Sequence, residues 1–270
     1  MVISYSAPLH AASLLGFFAA RAVRGVEEVD GATYRRSVRL PHGPAVLSVG
    51  LLDAGVSAEL VAGQERDVQE AERCCRDLLD LDADPAAVDG TLAADPLLHD
   101  LVTAAPGRRV PGCADPGELA IRAVLGQQVS VAAARTQAAR LVERCGEPLP
   151  EPIGSVTHLF PASDALAALD PEDLPMPRAR GRAVVSLAAA LAGGLDARDR
   201  EALLALPGIG PWTADYVAMR CGDRDVLLET DLGVRRGLRR LGRTEHELER
   251  HAERWRPWRS YAVQHLWSVA

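Results

Sequence analysis

The 270-residue chain has no lysine, so all thirty of its Lys+Arg positions are arginine. No side-chain amine is therefore available to form a Schiff base with a sugar aldehyde, and only a terminal amine could substitute. Cysteine is sparse. Cys74, Cys75, Cys113, Cys145 and Cys221 show no C-x-x-C pair and no spacing suited to zinc or an iron–sulfur cluster. They read as reduced thiols without an assigned role, and one of the adjacent pair Cys74 and Cys75 is expected to be exposed, since neighbouring helical positions point to different faces. Long apolar runs are missing too. The stretch Leu14 to Val23 is broken by Arg21 and has no basic leader or small-residue cleavage site, so it reads as a buried helix rather than a signal peptide. No run approaches a bilayer span, which leads to the expectation of a soluble, cytoplasmic protein without membrane contact. Excess positive charge is also lacking: 37 acids against 30 basic residues give −7, which taken alone argues against a protein that coats nucleic acid.

With 48% hydrophobic and 25% charged residues, the chain can bury one large core or two modest ones, and two domains are expected. Residues 1–88 read as a small antiparallel α/β domain. YRRSVRL (Tyr34 to Leu40) and AVLSVGL (Ala45 to Leu51) alternate with a period of two around a PHGP turn, and a third strand is expected near Val56 to Val61. Helices at Ala11 to Val23 and Asp67 to Leu81 would cover one face of that sheet. Residues 89–270 read as all-helical, with ten short helices punctuated by Pro and Gly. The fold class expected is α+β. Sign is uneven along the chain, because Asp231 to Ser260 holds nine arginines against five acids. A solvated helix face explains such a run as readily as a binding surface.

The most specific stretch is Leu206-Pro-Gly-Ile-Gly-Pro-Trp-Thr-Ala214. Two glycines two apart permit torsions that side chains forbid, and Pro211 suits the first position of a second helix. A hairpin between two helices follows. The exposed amides around Gly208, Gly210 and Thr213, at a helix N-terminus, can take a phosphate without positive side chains, so the acidic net charge does not exclude a phosphate-bearing partner.

The hairpin, followed about twenty residues later by Thr230-Asp231, resembles the helix-hairpin-helix glycosylase superfamily. Leu14 to Val23, VPGC (Val110 to Cys113), IRAVLGQQVSV (Ile121 to Val131), Met176 to Arg180 and Ala252 to Trp267 extend the likeness over nearly the whole chain. They are similar to the AlkA-type DNA-3-methyladenine glycosylase II family. The resemblance implies a small antiparallel α/β domain followed by a helical glycosylase bundle. On bare sequence Asp231 is a helix N-cap; its place in the family pattern matches the catalytic aspartate, which stabilises positive charge on the deoxyribose and orients water. Asp215 reads as helix surface and Glu229 as a loop acid. Trp212, Tyr216 and Trp267 match positions that line the family's base pocket, with Phe17 approaching from the N-terminal domain; core packing is the plain alternative for each. Trp255 and Trp258 read as packing the end of the bundle.

Gln128 matches the residue inserted into the duplex when a base is flipped, where an apolar wedge is the better-known choice; the plain alternative is a cap for the helix starting near Val131. Leu232 departs from a pattern that can carry an aromatic. The resemblance also suggests a monovalent cation, Na+ or K+, at the carbonyls of Leu204, Leu206 and Ile209, with no other cofactor required. Bifunctional relatives place a lysine on the second hairpin helix, so the lysine-free chain is expected to be a monofunctional hydrolase. A monomer acting on double-stranded DNA with alkylated purines is expected. A non-catalytic damage-binding protein, or a glycosylase for oxidised or deaminated purines, are the rival readings. The family's domain can also be fused to an alkyl-transfer domain.

Overall fold

A computed structural model describes residues 1–52 and 55–270. The chain runs β1 (Val2–Ile3), α1 (Ala11–Arg21), β2 (Glu27–Asp30), β3 (Thr33–Leu40), β4 (Gly43–Leu52), β5 (Gly55–Ala62), α2 (Val68–Leu79), α3 (Pro85–Ala93), α4 (His99–Ala104), α5 (Pro116–Leu125), α6 (Val131–Cys145), β6 (Glu147–Ile153), β7 (Val156–Leu159), α7 (Ser163–Ala167), α8 (Arg178–Ala192), α9 (Arg200–Leu204), α10 (Pro211–Arg220), α11 (Leu232–Arg240), α12 (Glu245–Arg254) and α13 (Arg259–Ser268). This is the α+β class expected from the sequence.

The first five strands form one antiparallel sheet in the order β1-β5-β4-β3-β2. Alternation decides what each face meets. Tyr34, Val38, Leu47, Val49 and Val56 pack against Leu14 and Phe18 of α1 and against Ala71, Cys75 and Leu78 of α2. Each such fully buried apolar side chain contributes roughly 1.5–3 kcal/mol. Val46 turns to the opposite face and packs on Leu149, Val156 and Leu159.

Those last residues belong to a two-stranded antiparallel ribbon, β6–β7, inside the region expected to be wholly helical. Pro148, Pro150 and Pro152 in β6 hide the strand signal, yet an edge strand tolerates residues that cannot donate. Helix α3 was likewise not anticipated. Gly90 weakens its helical pattern, but Asp84 caps it by accepting from the amides of Ala86 and Ala87, with Pro85 at the first position. The expectation that one of Cys74 and Cys75 is exposed is corrected: both are buried, because the buried stripe of α2 is wide enough to take consecutive positions.

The helices share two cores. One gathers α5, α6, α8 and Val23 with Ala214 and Val217 of α10. The other gathers α3, α4, α11, α12 and α13 around Trp255 and Tyr261, with Met219 of α10. Helix α10 is thus fixed from both sides, and it carries the aromatic residues of the hairpin. Trp255 is fully buried and Trp258 packs beside it, as the sequence suggested. Among the described residues, no helix is long and apolar enough to cross a membrane.

Candidate active site

The hairpin between α9 and α10 is closed by Ile209 N donating to the Leu206 carbonyl at 3.2 Å. Gly208 has φ +83°, and a Cβ there would approach Ala183 Cβ of α8 to 2.8 Å, so both torsion and space require glycine. Gly210 is different: at φ −99° and ψ 172° any residue could adopt its backbone, and a Cβ would meet nothing within 4 Å. Of the two, only Gly208 therefore adopts a torsion that side chains forbid; Gly210 leaves an open surface at the start of α10. Among the described residues, the amides of Gly208 and Gly210 donate to no protein acceptor. Thr213 is not on that surface. It is buried, its amide bonds to the Gly210 carbonyl at 3.0 Å, and its hydroxyl receives Gln127 Nε2 at 2.9 Å.

Gln127 also donates to the Gly208 carbonyl at 3.0 Å, while Arg180 holds the Gln127 carbonyl at 2.6 Å. These bonds lock the α5–α6 loop to the hairpin. Gln128, next in the chain, is exposed with φ +54°, an uncommon conformation for a residue with a side chain. Ser130, rather than Gln128, caps α6 by accepting from Ala133 N. That rules out the capping alternative for Gln128.

Asp231 is the N-cap of α11, with Oδ1 accepting from Val234 N at 2.9 Å. Two indoles converge on the same carboxylate: Trp267 Nε1 donates to Oδ1 at 2.8 Å and Trp212 Nε1 to Oδ2 at 3.0 Å. A carboxylate has about four lone-pair sites, so three donors leave one, on Oδ2, for a further group. Trp212 stacks on Tyr216 with centroids 5.3 Å apart, and Trp267 lies tilted 6.4 Å from Tyr216. All of these, with Phe17, Gln128, Gly208, Gly210, Thr213 and Leu232, line one cleft of about 1190 Å³. Asp215 lies apart, paired with Arg200 at 2.6 Å, and Glu229 is exposed.

Residues 1–115 match the AlkA N-terminal domain, and residues 121–260 match the HhH-GPD superfamily base excision DNA repair protein family. The chain belongs to the HhH-GPD superfamily. A probable bifunctional transcriptional activator/DNA repair enzyme AlkA of Mycobacterium tuberculosis (strain ATCC 25618 / H37Rv) is 47% identical over 274 residues, covering 97% of this chain and 55% of that protein. The chain thus spans about half the length of this relative. The DNA-3-methyladenine glycosylase 2 of Escherichia coli (strain K12) is 38% identical, covering 98% of this chain and 95% of that one. The 3-methyladenine DNA-glycosylase from Archaeoglobus fulgidus superposes with a TM-score of 0.83 at 20% identity, over 99% of this chain and 96% of that chain, a likeness of fold. The resemblance drawn from the sequence is borne out.

Several features of this HhH-GPD site escape sequence reading. Helix α11 approaches α13 through Gly233 and Gly237: a Cβ on Gly233 would come within 2.8 Å of the Trp267 ring, and one on Gly237 within 2.3 Å of the Leu266 carbonyl. These two glycines, four apart on one helix face, allow Trp267 to reach Asp231. Their spacing was the available signal, masked by the surrounding arginines. Arginines also crowd the cleft floor. Arg220 donates to the Tyr216 hydroxyl at 2.7 Å, and the guanidinium groups of Arg21 and Arg220 sit 3.8 and 4.6 Å from the Phe17 ring centroid. Burial acts to raise the Tyr216 pKa, but Arg220, Arg21 and Arg122 outweigh it and hold the phenol below its usual range. Burial lowers Arg21 in turn. Among the described residues, no three His, Cys, Asp or Glu side chains converge to hold a metal.

Proposed function

We propose that the protein is a monofunctional DNA glycosylase, which extrudes an alkylated purine of the 3-methyladenine or 7-methylguanine type and hydrolyses its N-glycosidic bond. The observation that carries this reading is the Asp231 carboxylate held between two indole N–H groups in a cleft beside the hairpin's bare amides. As the bond to the base lengthens, positive charge grows on the deoxyribose. A fixed carboxylate facing it stabilises that charge, and the remaining Oδ2 lone pair is placed to orient water. The relatives named above as 3-methyladenine glycosylases support the same substrate class.

Base selection rests on the indoles, with Tyr216 stacked on Trp212; guanidinium groups already lie over Phe17, and that of Arg220 also lies 5.6 Å from the Tyr216 ring centroid. A purine alkylated at N3 or N7 is cationic, which favours stacking on an electron-rich face by about 1–2 kcal/mol and weakens its own glycosidic bond. Gln128, projected by its left-handed backbone, fills the gap and hydrogen-bonds the orphaned partner base. The Gly208 and Gly210 amides take the adjacent phosphate, with Thr213 supporting them through Gln127. The oxygen-only donors Leu204, Leu206 and Ile209 suit a hard monovalent cation; a carbonyl that accepts from Ile209 N still has a second lone pair. Such an ion would add positive charge beside the phosphate.

Without a lysine, no side chain can form a Schiff base, so the strand stays intact after base loss. We assign the protein to the cytoplasm, acting as a monomer on double-stranded DNA. The test is incubation with methylated duplex: free base and alkali-labile abasic sites should appear, with no borohydride-trapped adduct. Tight binding with no base release by the wild type would instead establish a damage-binding protein, and release confined to oxidised or deaminated purines would move the substrate class.

A further inference from the structure

Cys113 and Cys221 lie 108 positions apart in sequence, yet their sulfurs are 3.7 Å apart. Both are half-buried, and both line a second cleft of about 360 Å³ with Arg198, Arg220 and Tyr261. We propose that this pair is a redox-modification site: a peroxide converts the dithiol to a disulfide, and closing it alters base release in the neighbouring cleft. The sulfurs are already in contact, and closure to a bond of about 2 Å needs only a small approach.

The environments of the thiols separate this pair from the rest. The hydrogen bond shared with Cys113, and then Arg198 and Arg220, lower the Cys221 pKa against the effect of burial, which favours Cys221 as the attacking thiol. Burial pushes Cys74 up to about 11 and Cys75 to about 12, which leaves them inert. The Cys221 thiolate attacks one peroxide oxygen; an S–O bond forms, the O–O bond breaks and hydroxide leaves. The Cys113 sulfur then attacks the sulfenic acid; the S–S bond forms, the S–O bond breaks and water departs with the thiol proton. Two thiols supply the two electrons that reduce one peroxide to two waters.

The path to the active cleft is short. Arg220, adjacent to Cys221, donates to the carbonyls of Pro111 and Gly112, the two residues before Cys113. Its remaining edge holds the Tyr216 hydroxyl and overlies Phe17. Drawing the sulfurs together shifts that guanidinium, and with it the pocket floor.

The full chain is treated with stoichiometric hydrogen peroxide, alkylated, and mapped by non-reducing peptide mass spectrometry, with single-turnover base release measured in parallel. The expected result is a Cys113–Cys221 cross-linked peptide, unmodified Cys74 and Cys75, and a rate lowered by roughly ten- to a hundredfold, the scale for displacing a positioning group by up to 1 Å. Dithiothreitol should restore the rate. Cys221→Ser, or Cys221→Ala if the serine variant folds poorly, should keep the reduced protein's rate and lose the peroxide response. Absence of that cross-link, or linkage through other cysteines, overturns the site; a cross-link with an unchanged rate overturns its coupling to the pocket. The rate readout rests on the proposed glycosylase activity, whereas peptide mapping does not, so the two can fail separately.

Discussion

Asp231 concentrates three hydrogen bonds on one carboxylate, and each donor comes from a different element. Replacing it by Asn keeps the shape and an acceptor for the cap but removes the charge. Base release from methylated duplex should fall by about 10²–10³-fold or more, the scale seen when one electrostatic stabiliser is lost, while DNA affinity in a gel-shift titration stays near the wild-type value. Trp267→Phe tests the orientation instead. It preserves an aromatic face and deletes the 2.8 Å bond to Oδ1. A hydrogen bond to a charged group is worth about 1.5–3 kcal/mol, so single-turnover release should slow by roughly ten- to a hundredfold. An unchanged rate would mean that the Val234 amide and Trp212 suffice to aim the carboxylate.

At the scale of elements, the close approach of α11 to α13 decides whether that carboxylate meets its second indole. Gly237→Ala places a methyl group against the Leu266 backbone, which cannot yield as a side-chain tip would. Overpacking of this kind costs about 1–3 kcal/mol, visible as a lower urea midpoint with an unchanged slope. The hairpin and the α5–α6 loop form a second coupled pair through Gln127. Gln127→Ala should weaken base release while leaving thermal stability nearly intact, since the lost bonds are partly exposed and serve to hold Gln128 in position.

At the scale of the molecule, the N-terminal sheet is joined to the bundle by buried charge. Glu27 and Arg36 from the sheet region meet Glu118 and Arg122 of α5, with Arg36 Nη2 2.6 Å from Glu118 and Arg122 Nη1 2.9 Å from Glu27. Removing one partner of such a buried set leaves an uncompensated charge, and Arg122→Met should cost about 3–5 kcal/mol in denaturant unfolding. Arg122, Arg36 and Tyr34 hold the Glu27 carboxyl below its usual range despite burial. Its contribution is therefore present above about pH 4.5 and lost as pH falls through the lower folded value. His265 acts over a wider window. Burial, and then Arg108 and His10, push its pKa from 6.5 down to about 3. The unfolded chain binds a proton below 6.5 that the folded ring refuses, so stability should drop by about 1.4 kcal/mol per pH unit between 6.5 and 3. Urea midpoints against pH should show that slope, and His265→Leu should remove the part between 6.5 and 4.5.

Local chemistry was legible from residues alone. The hairpin, the cap at Asp231 and the alternating strands all follow from torsional preference or side-chain period, properties that neighbours in sequence determine. Tertiary structure decided the rest. The β6–β7 ribbon forms because Val46 needs a partner on the far face of the sheet, a demand its own proline-rich strand does not advertise. Thr213 turns inward because Gln127, 86 positions away, claims its hydroxyl. Trp267 joins Trp212 on one carboxylate because two glycines let α11 and α13 touch. Such contacts join residues far apart in the chain, and no local pattern encodes a distance that only the packed core sets.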